Sequence, residues 1–248
     1  MFRKSFIAAS LLTALFSSSF ASAHSPPHWS YSGDSAPEKW GKLSQDFSAC
    51  ERGHNQSPVD IRQTIKGELP PLSLTFHAKD KSIINNGHTL QLNVHDGDSL
   101  MLDGTEFKLQ QFHFHAPSEN RISGKSYPLE VHFVHSNAEG QLAVVAVMFE
   151  EGAENPVITD ILKNVPARLN VAQPLNKPLA LAALIPGDKS YYRYNGSLTT
   201  PPCTEGVRWL VIKQPVTLSA AQIKAFQKVL GQHNNRPVQP LNGRLIVD

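Results

Sequence analysis

Short alternating runs of apolar and polar residues dominate the chain, and their spacing predicts strands more often than helices. Leu72-Ser73-Leu74-Thr75-Phe76 alternates, and so does the run carrying Leu90, Leu92 and Val94, as in strands buried on one face. Asp103-Gly104, a dipeptide suited to a two-residue hairpin turn, separates Leu100-Met101-Leu102 from Phe107-Lys108-Leu109 and predicts a strand over 107–115. Breaks at Gly124 and Pro128 precede a second β-like run, 129–135. The segment 142–149 is apolar on both parities, as expected of a strand covered on both faces, and 207–212 is a further buried strand. Helical spacing is peripheral: a short helix over 156–165, and another opened by Ser219 with Gln222 at the capping-box position. Ile223, Phe226, Val229 and Leu230 form its buried stripe, and Gly231 ends it. Asn85-Asn86-Gly87 and Asn195-Gly196 are predicted bends, and Trp29 to Gly41 an aperiodic arm packed over the body. The expected fold is mostly β, a β-dominated α+β domain: a large, twisted, mainly antiparallel central sheet with short helices outside it.

Strand parity also locates the chemistry. Residues i and i+2 project to one face, so His113 and His115 point together while Phe112 and Phe114 point away. The run 129–135, returning beside the first, would present His132 to the same pocket and turn His135 the other way. Gln111 shares the face of His113 and His115, and Glu130 shares that of His132. Metal-bound histidines give their free ring N–H to a carboxylate or carbonyl, so Gln111 and Glu130 stand at the offset for such partners. Three imidazoles and an open fourth position suit zinc that activates water, although cobalt or iron would bind the same ligands. His113-x-His115 followed by Glu119 also matches the first motif of cupin barrels, where the Glu is a ligand. That reading needs a later Pro-x-Gly-x-x-His-like segment, which the chain lacks.

Composition narrows the setting. With 248 residues, 40% apolar and 18% charged, the chain has ample core for one sizeable domain or two small ones. Residues 1–23 read as a signal peptide: Arg3 and Lys4, an apolar run from Phe6 to Phe16, then Ala21-Ser22-Ala23 as the cleavage site. The apolar run is shorter than the roughly 20 residues a bilayer needs, and no cysteine marks a lipid anchor. The expected location is periplasmic or secreted, without a membrane anchor. Removing Arg3 and Lys4 takes the 23 basic residues to 21 against 21 acidic ones, a balance that argues against nucleic-acid binding. In an oxidising compartment Cys50 and Cys203 are most simply one disulfide, the alternative being two free thiols. No repeat, phosphate-binding glycine loop or nucleophile elbow is present.

The ordered set Trp29-Ser30-Tyr31, Gln56 to Ile61, Asn86-Gly87-His88, Gln111 to His115, Glu130 to His135, Ser197 to Cys203 and Arg236 to Pro240 resembles the bacterial alpha-class carbonic anhydrases. The resemblance covers nearly all of the mature length and implies a single catalytic domain over 24–248 with a ten-stranded sheet. It implies one zinc on His113, His115 and His132, with Thr199 and Glu119 as an orienting relay. Thr199 accepts a hydrogen bond from zinc hydroxide only if its own proton is committed to Glu119. An apolar wall for carbon dioxide falls on Val134, Val144, Leu198 and Trp209, with Thr200 beside it. His88 matches the proton-shuttle position, where an imidazole of pKa about 6.5 is suitable. The implied reaction is reversible hydration of carbon dioxide to bicarbonate and a proton. Small anions and sulfonamide-type inhibitors are the implied ligands, and a homodimer is left open. Ala116-Pro117 and Asn120 depart from the animal enzymes, where a Trp-Gly pair and a His are common. The rival from another class is an exported zinc-binding protein without turnover, using the same ligands with His24, His28 or His135.

Overall fold

The computed structural model describes residues 27–77, 81–94 and 97–248; the expected signal peptide lies outside the described residues. Their strands, in chain order, are β1 (Asp60–Ile61), β2 (Ser73–Thr75), β3 (Lys81–Asn85), β4 (Leu90–Val94), β5 (Ser99–Leu102), β6 (Thr105–His115) and β7 (Arg121–Ile122). β8 (Leu129–Ser136), β9 (Leu142–Glu151), β10 (Gln173–Pro174), β11 (Tyr191–Ser197), β12 (Glu205–Ile212) and β13 (Val216–Leu218) follow. Eleven of them make one sheet, with the path β10-β3-β4-β6-β8-β9-β12-β11, and β1 pairs β7 in a separate ribbon. Pairing is mainly antiparallel, as expected, but β12 and β13 run parallel to β9. The count exceeds the implied ten because short edge pieces pair too, β10 with two residues only.

The turn chemistry explains the longest strand. Asp103 and Gly104 both take positive φ, 51° and 76°, and join β5 to β6 in register, Leu102 against Thr105. From there β6 runs 11 residues, long enough to pair β5 at its start and β4 and β8 further on. One face buries Phe112, Phe114, Val131, Phe133, Val145 and Val147 in the main core. The other carries the smaller cluster of Val144, Ala146, Met148, Tyr194, Trp209 and Val211. Two helices flank the sheet, α1 over Pro156–Lys163 and α2 over Ala220–Leu230. Ser219 and Gln222 form the expected capping box, and Gly231 ends α2 at φ 71°. Phe226 carries its buried stripe.

Two expectations need correction. Asn195-Gly196 is not a bend: β11 runs through it, paired to Arg208 and Val207, with a register shift only at Ser197. Gly196 is there for closeness, since a Cβ would collide with Ser57 Oγ and with the rings of Tyr194 and Trp209. The arm from Trp29 to Gly41 is less irregular than expected, with 3₁₀ turns at Gly33–Ser35 and Pro37–Lys39 and a helical turn beginning at Trp40. Trp40 is fully buried and its ring N–H reaches the carbonyls of Ser30 and Ser35, which folds the arm back on itself.

His135 faces away from His132, as parity requires, and sits buried with Nδ1 on the Phe133 carbonyl (2.9 Å) and Nε2 without a partner. Burial pushes its pKa down to about 4, against about 6.5 in an unfolded chain. The unfolded state therefore takes up a proton first. Stability from this group is complete above pH 6.5 and lost as pH falls towards 4, about 3 kcal/mol in all. Denaturant titrations of the parent and of His135→Gln at pH 7 and pH 4.5 should show the smaller acid loss in the variant; equal losses would remove His135 as the cause.

Candidate active site

The sheet register sets the site out in rows. One row crosses five strands as Gln91, His113, His132, Ala146 and Val211, so His113 and His132 are direct cross-strand neighbours. The row beside it reads Gln111, Val134, Val144, Trp209 and Tyr194. His115 lies opposite Glu130 in the next row along. Sequence parity thus translates directly into three imidazoles on one face. Their candidate ligand nitrogens lie within 4.8 Å of one another, the only such metal-type group among the described residues. Ring centroids are 4.5 to 5.4 Å apart.

Which nitrogens are free follows from what the others hold. His113 Nδ1 donates to Gln111 Oε1 at 2.8 Å, and His132 Nε2 donates to Glu130 Oε1 at 2.9 Å. His115 Nδ1 donates to the Asn234 carbonyl at 2.7 Å. These bonds fix the tautomers and leave lone pairs on His113 Nε2, His115 Nε2 and His132 Nδ1. Burial, reinforced at His113 and His132 by neighbouring rings, lowers the pKa of all three, so each is neutral near pH 7. His115 Nε2 is buried with no partner, a costly arrangement that a metal ion would relieve. The donor set fits zinc.

Gln111 and Glu130 stand where they were expected. The partner of His115 was not foreseen: it is a backbone carbonyl 119 residues away, and backbone carbonyls carry no sequence signal. The Asn234 side chain anchors that carbonyl by accepting from Ala116 N and donating to the Phe114 and His88 carbonyls.

Glu119 is buried against the same rings, Oε2 lying 3.5 Å from His115 Nε2 and 3.9 Å from His132 Nδ1. It does not join the three-histidine metal-type group, which disfavours the cupin arrangement. Oε1 accepts the Arg236 backbone N–H at 2.8 Å. Burial pushes its pKa up to about 8, opposed by that bond and by the Thr199 side chain. Thr199 is therefore beside the carboxyl, yet no donor meets Oε2 in close hydrogen-bond geometry. The loop carrying Leu198, Thr199 and Thr200 is tied by Leu198 N to the Thr204 carbonyl and Cys203 N to the Thr200 carbonyl. Cys50 and Cys203 are joined as a disulfide, which anchors the loop to the helical turn Ala49–Arg52.

Val144 and Trp209 are buried in the small cluster, with Val134 and Leu198 packed against it. Trp209 stands edge-on to His132, 4.9 Å between centroids, and its ring N–H donates to the Ser197 carbonyl. An apolar wall thus adjoins the three histidines; Thr200 is half-buried beside Thr199. His88 lies apart, half-buried and stacked on Trp29 at 3.8 Å with an 11° tilt. Its pKa is lowered, first by burial and then by the charge of His28, whose ring is 6.4 Å away.

The family profile described as eukaryotic-type carbonic anhydrase matches residues 35–248. A carbonic anhydrase of Pectobacterium carotovorum is 54% identical over 239 residues, 96% of this chain and 97% of its own. The alpha-carbonic anhydrase of Thermovibrio ammonificans, solved with the inhibitor sulfanilamide, has a TM-score of 0.88 at 44% identity over 90% of this chain and 100% of that one. The Photobacterium profundum alpha-carbonic anhydrase gives 0.84 at 49% identity, covering 89% and 100%. Sheet register, ring orientation and this full-length kinship agree: the chain belongs to the alpha carbonic anhydrase family and is an enzyme of reversible carbon dioxide hydration.

Proposed function

We propose that hydration runs at a zinc ion held by His113 Nε2, His115 Nε2 and His132 Nδ1. The observation that carries this is the commitment of each second ring nitrogen, which aims three lone pairs at one place. Zinc held there would supply a water acidic enough to ionise near neutral pH, with a pKa of about 7 as in carbonic anhydrases generally. Glu119, in its ionised form, would accept a hydrogen bond from the Thr199 hydroxyl, so that the Thr199 oxygen is left to accept from the attacking water or hydroxide and orient it. Without metal, burial holds Glu119 up near 8; a dication beside it favours the carboxylate. Val134, Val144, Leu198 and Trp209 receive the apolar substrate and exclude water, with Thr200 at the edge of the wall. Placing the carbon beside the nucleophile is the main service the protein renders.

His88 passes the product proton to buffer. Its depressed pKa makes it a ready donor to solvent, and the Trp29 stack holds the ring. His88→Ala should slow turnover roughly tenfold or more in weak buffer, with partial recovery on adding imidazole. An unchanged rate would remove His88 from the pathway.

Residues 1–23 act as an export signal in this reading, the remainder forming one catalytic domain delivered to the periplasm or beyond. The Cys50–Cys203 disulfide supports an oxidising destination, and no helix of the described residues is long and apolar enough to cross a membrane. Small anions and sulfonamides are expected to bind at the metal. The zinc-store reading gains nothing from this geometry, because a store has no use for the Thr199–Glu119 pair. Stopped-flow hydration on the mature chain, with bound metal quantified, tests the proposal. One zinc per chain with fast hydration supports it; zinc without hydration would return the site to storage.

A further inference from the structure

Asn120 occupies a position in the hydrogen-bond pattern that the reaction above does not use. Glu130 is fully buried and its two oxygens take four donors. Oε2 accepts the backbone N–H groups of Glu119 (2.7 Å) and Asn120 (2.9 Å). Oε1 accepts Asn120 Nδ2 (2.7 Å) and His132 Nε2 (2.9 Å), so the amide and the imidazole share one oxygen. The amide's orientation is settled by its other end: Oδ1 accepts the Val59 backbone N–H at 3.1 Å and the Tyr194 hydroxyl at 2.9 Å. Both are donors there, so Nδ2 faces Glu130. The Tyr194 hydroxyl withdraws electron density from Oδ1 and makes Nδ2–H a better donor, and such chains reinforce one another.

We propose that Asn120, supported by Tyr194, is a positioning residue that limits how far Glu130 draws on the ring proton of His132, and so sets the donor strength of that metal ligand. The physical reason is competition for one oxygen. Two donors on Oε1 divide its negative charge; with one removed, the full demand falls on the His132 N–H. The ring then becomes more electron-rich at Nδ1, and a more electron-rich ligand makes the metal a weaker acid. Glu130 alone would hold the ring in place. Asn120 tempers the hold, and it does so from within the loop that also carries Glu119. The inference rests on the reading of His132 as a metal ligand.

The test uses Asn120→Ala and Tyr194→Phe, the latter keeping the amide but removing the donor behind it. In the metal-free protein with ¹⁵N-labelled histidine, the His132 Nε2–H proton resonance should move downfield in both variants, more in Asn120→Ala. In the zinc-loaded enzyme, the midpoint of kcat/KM against pH should rise by about half a unit in Asn120→Ala and less in Tyr194→Phe. A purely structural role would lower Tm and move neither. A stationary proton resonance in a folded variant overturns the proposal, and a shifted resonance with an unmoved midpoint overturns its link to the metal. Should Asn120→Ala fail to fold, Tyr194→Phe decides alone by the same two readings. Failure of the metal-ligand reading would be visible separately, as zinc retained by His132→Ala.

Discussion

His132→Ala is expected to leave a folded protein that neither keeps zinc nor hydrates carbon dioxide, its rate down by about a thousandfold or more. Each remaining imidazole is still held by its own partner, His113 by Gln111 and His115 by the Asn234 carbonyl. Two ligands, however, leave a site too weak to compete with a chelator. The substitution also strips Glu130 Oε1 of one of its two donors while Asn120 Nδ2 keeps the other, so the buried carboxylate stays partly satisfied and the fold survives. Dialysis against a chelator followed by zinc addition separates the causes. The parent should regain hydration on zinc, and the variant should not at equal zinc. Glu130→Ala is the graded comparison, since loss of an outer partner weakens metal binding by about ten- to a hundredfold rather than abolishing it. Substantial hydration by metal-loaded His132→Ala would show that the third ligand lies elsewhere.

How much of the site is legible in the sequence follows from the range of each interaction. The i, i+2 parity of β6 and β8 and the turn at Asp103-Gly104 are local, so the residue pattern alone reveals three imidazoles on one face and two of their ring partners. The capping box at Ser219 is local as well. Asn195-Gly196 misleads because a glycine serves turns and close packing alike, and only the positions of Ser57 and Trp209 tell which. The Asn234 carbonyl, the Tyr194–Asn120–Glu130 chain and the Arg236 contacts join segments far apart in sequence, and they exist only after the sheet has brought those segments together. The resemblance motifs contain Gln56, Ser57 and Arg236 without saying that they touch.

That last contact carries the second large effect. Arg236→Met should destabilise the protein by about 3–5 kcal/mol, because one buried side chain serves three acceptors on two separate segments. Nη1 donates to Gln56 Oε1 and the Ser57 carbonyl, both at 2.8 Å, and Nη2 to the Cys50 carbonyl at 2.9 Å. Arg236 is 2% exposed, and its guanidinium lies 5.8 Å from the Trp40 ring centroid. Burial pulls its pKa down to about 10, opposed by the nearby Glu119 carboxyl, and still leaves it charged at neutral pH. Methionine fills much of the volume but leaves three acceptors without these donors. Lysine would keep the charge and lose the fork that addresses two directions, so Arg236→Lys should fall between. At about 2–4 °C per kcal/mol for a domain of this size, the methionine variant should melt roughly ten degrees or more below the parent. Arg193→Met is the control: its partner Asp103 is half exposed, and such pairs contribute about 1 kcal/mol at most. Equal melting shifts for the two variants would mean that the contacts of Arg236 count for no more than a surface pair. The approach of the Cys50 segment to the Thr199 loop would then rest on the Cys50–Cys203 disulfide and not on Arg236.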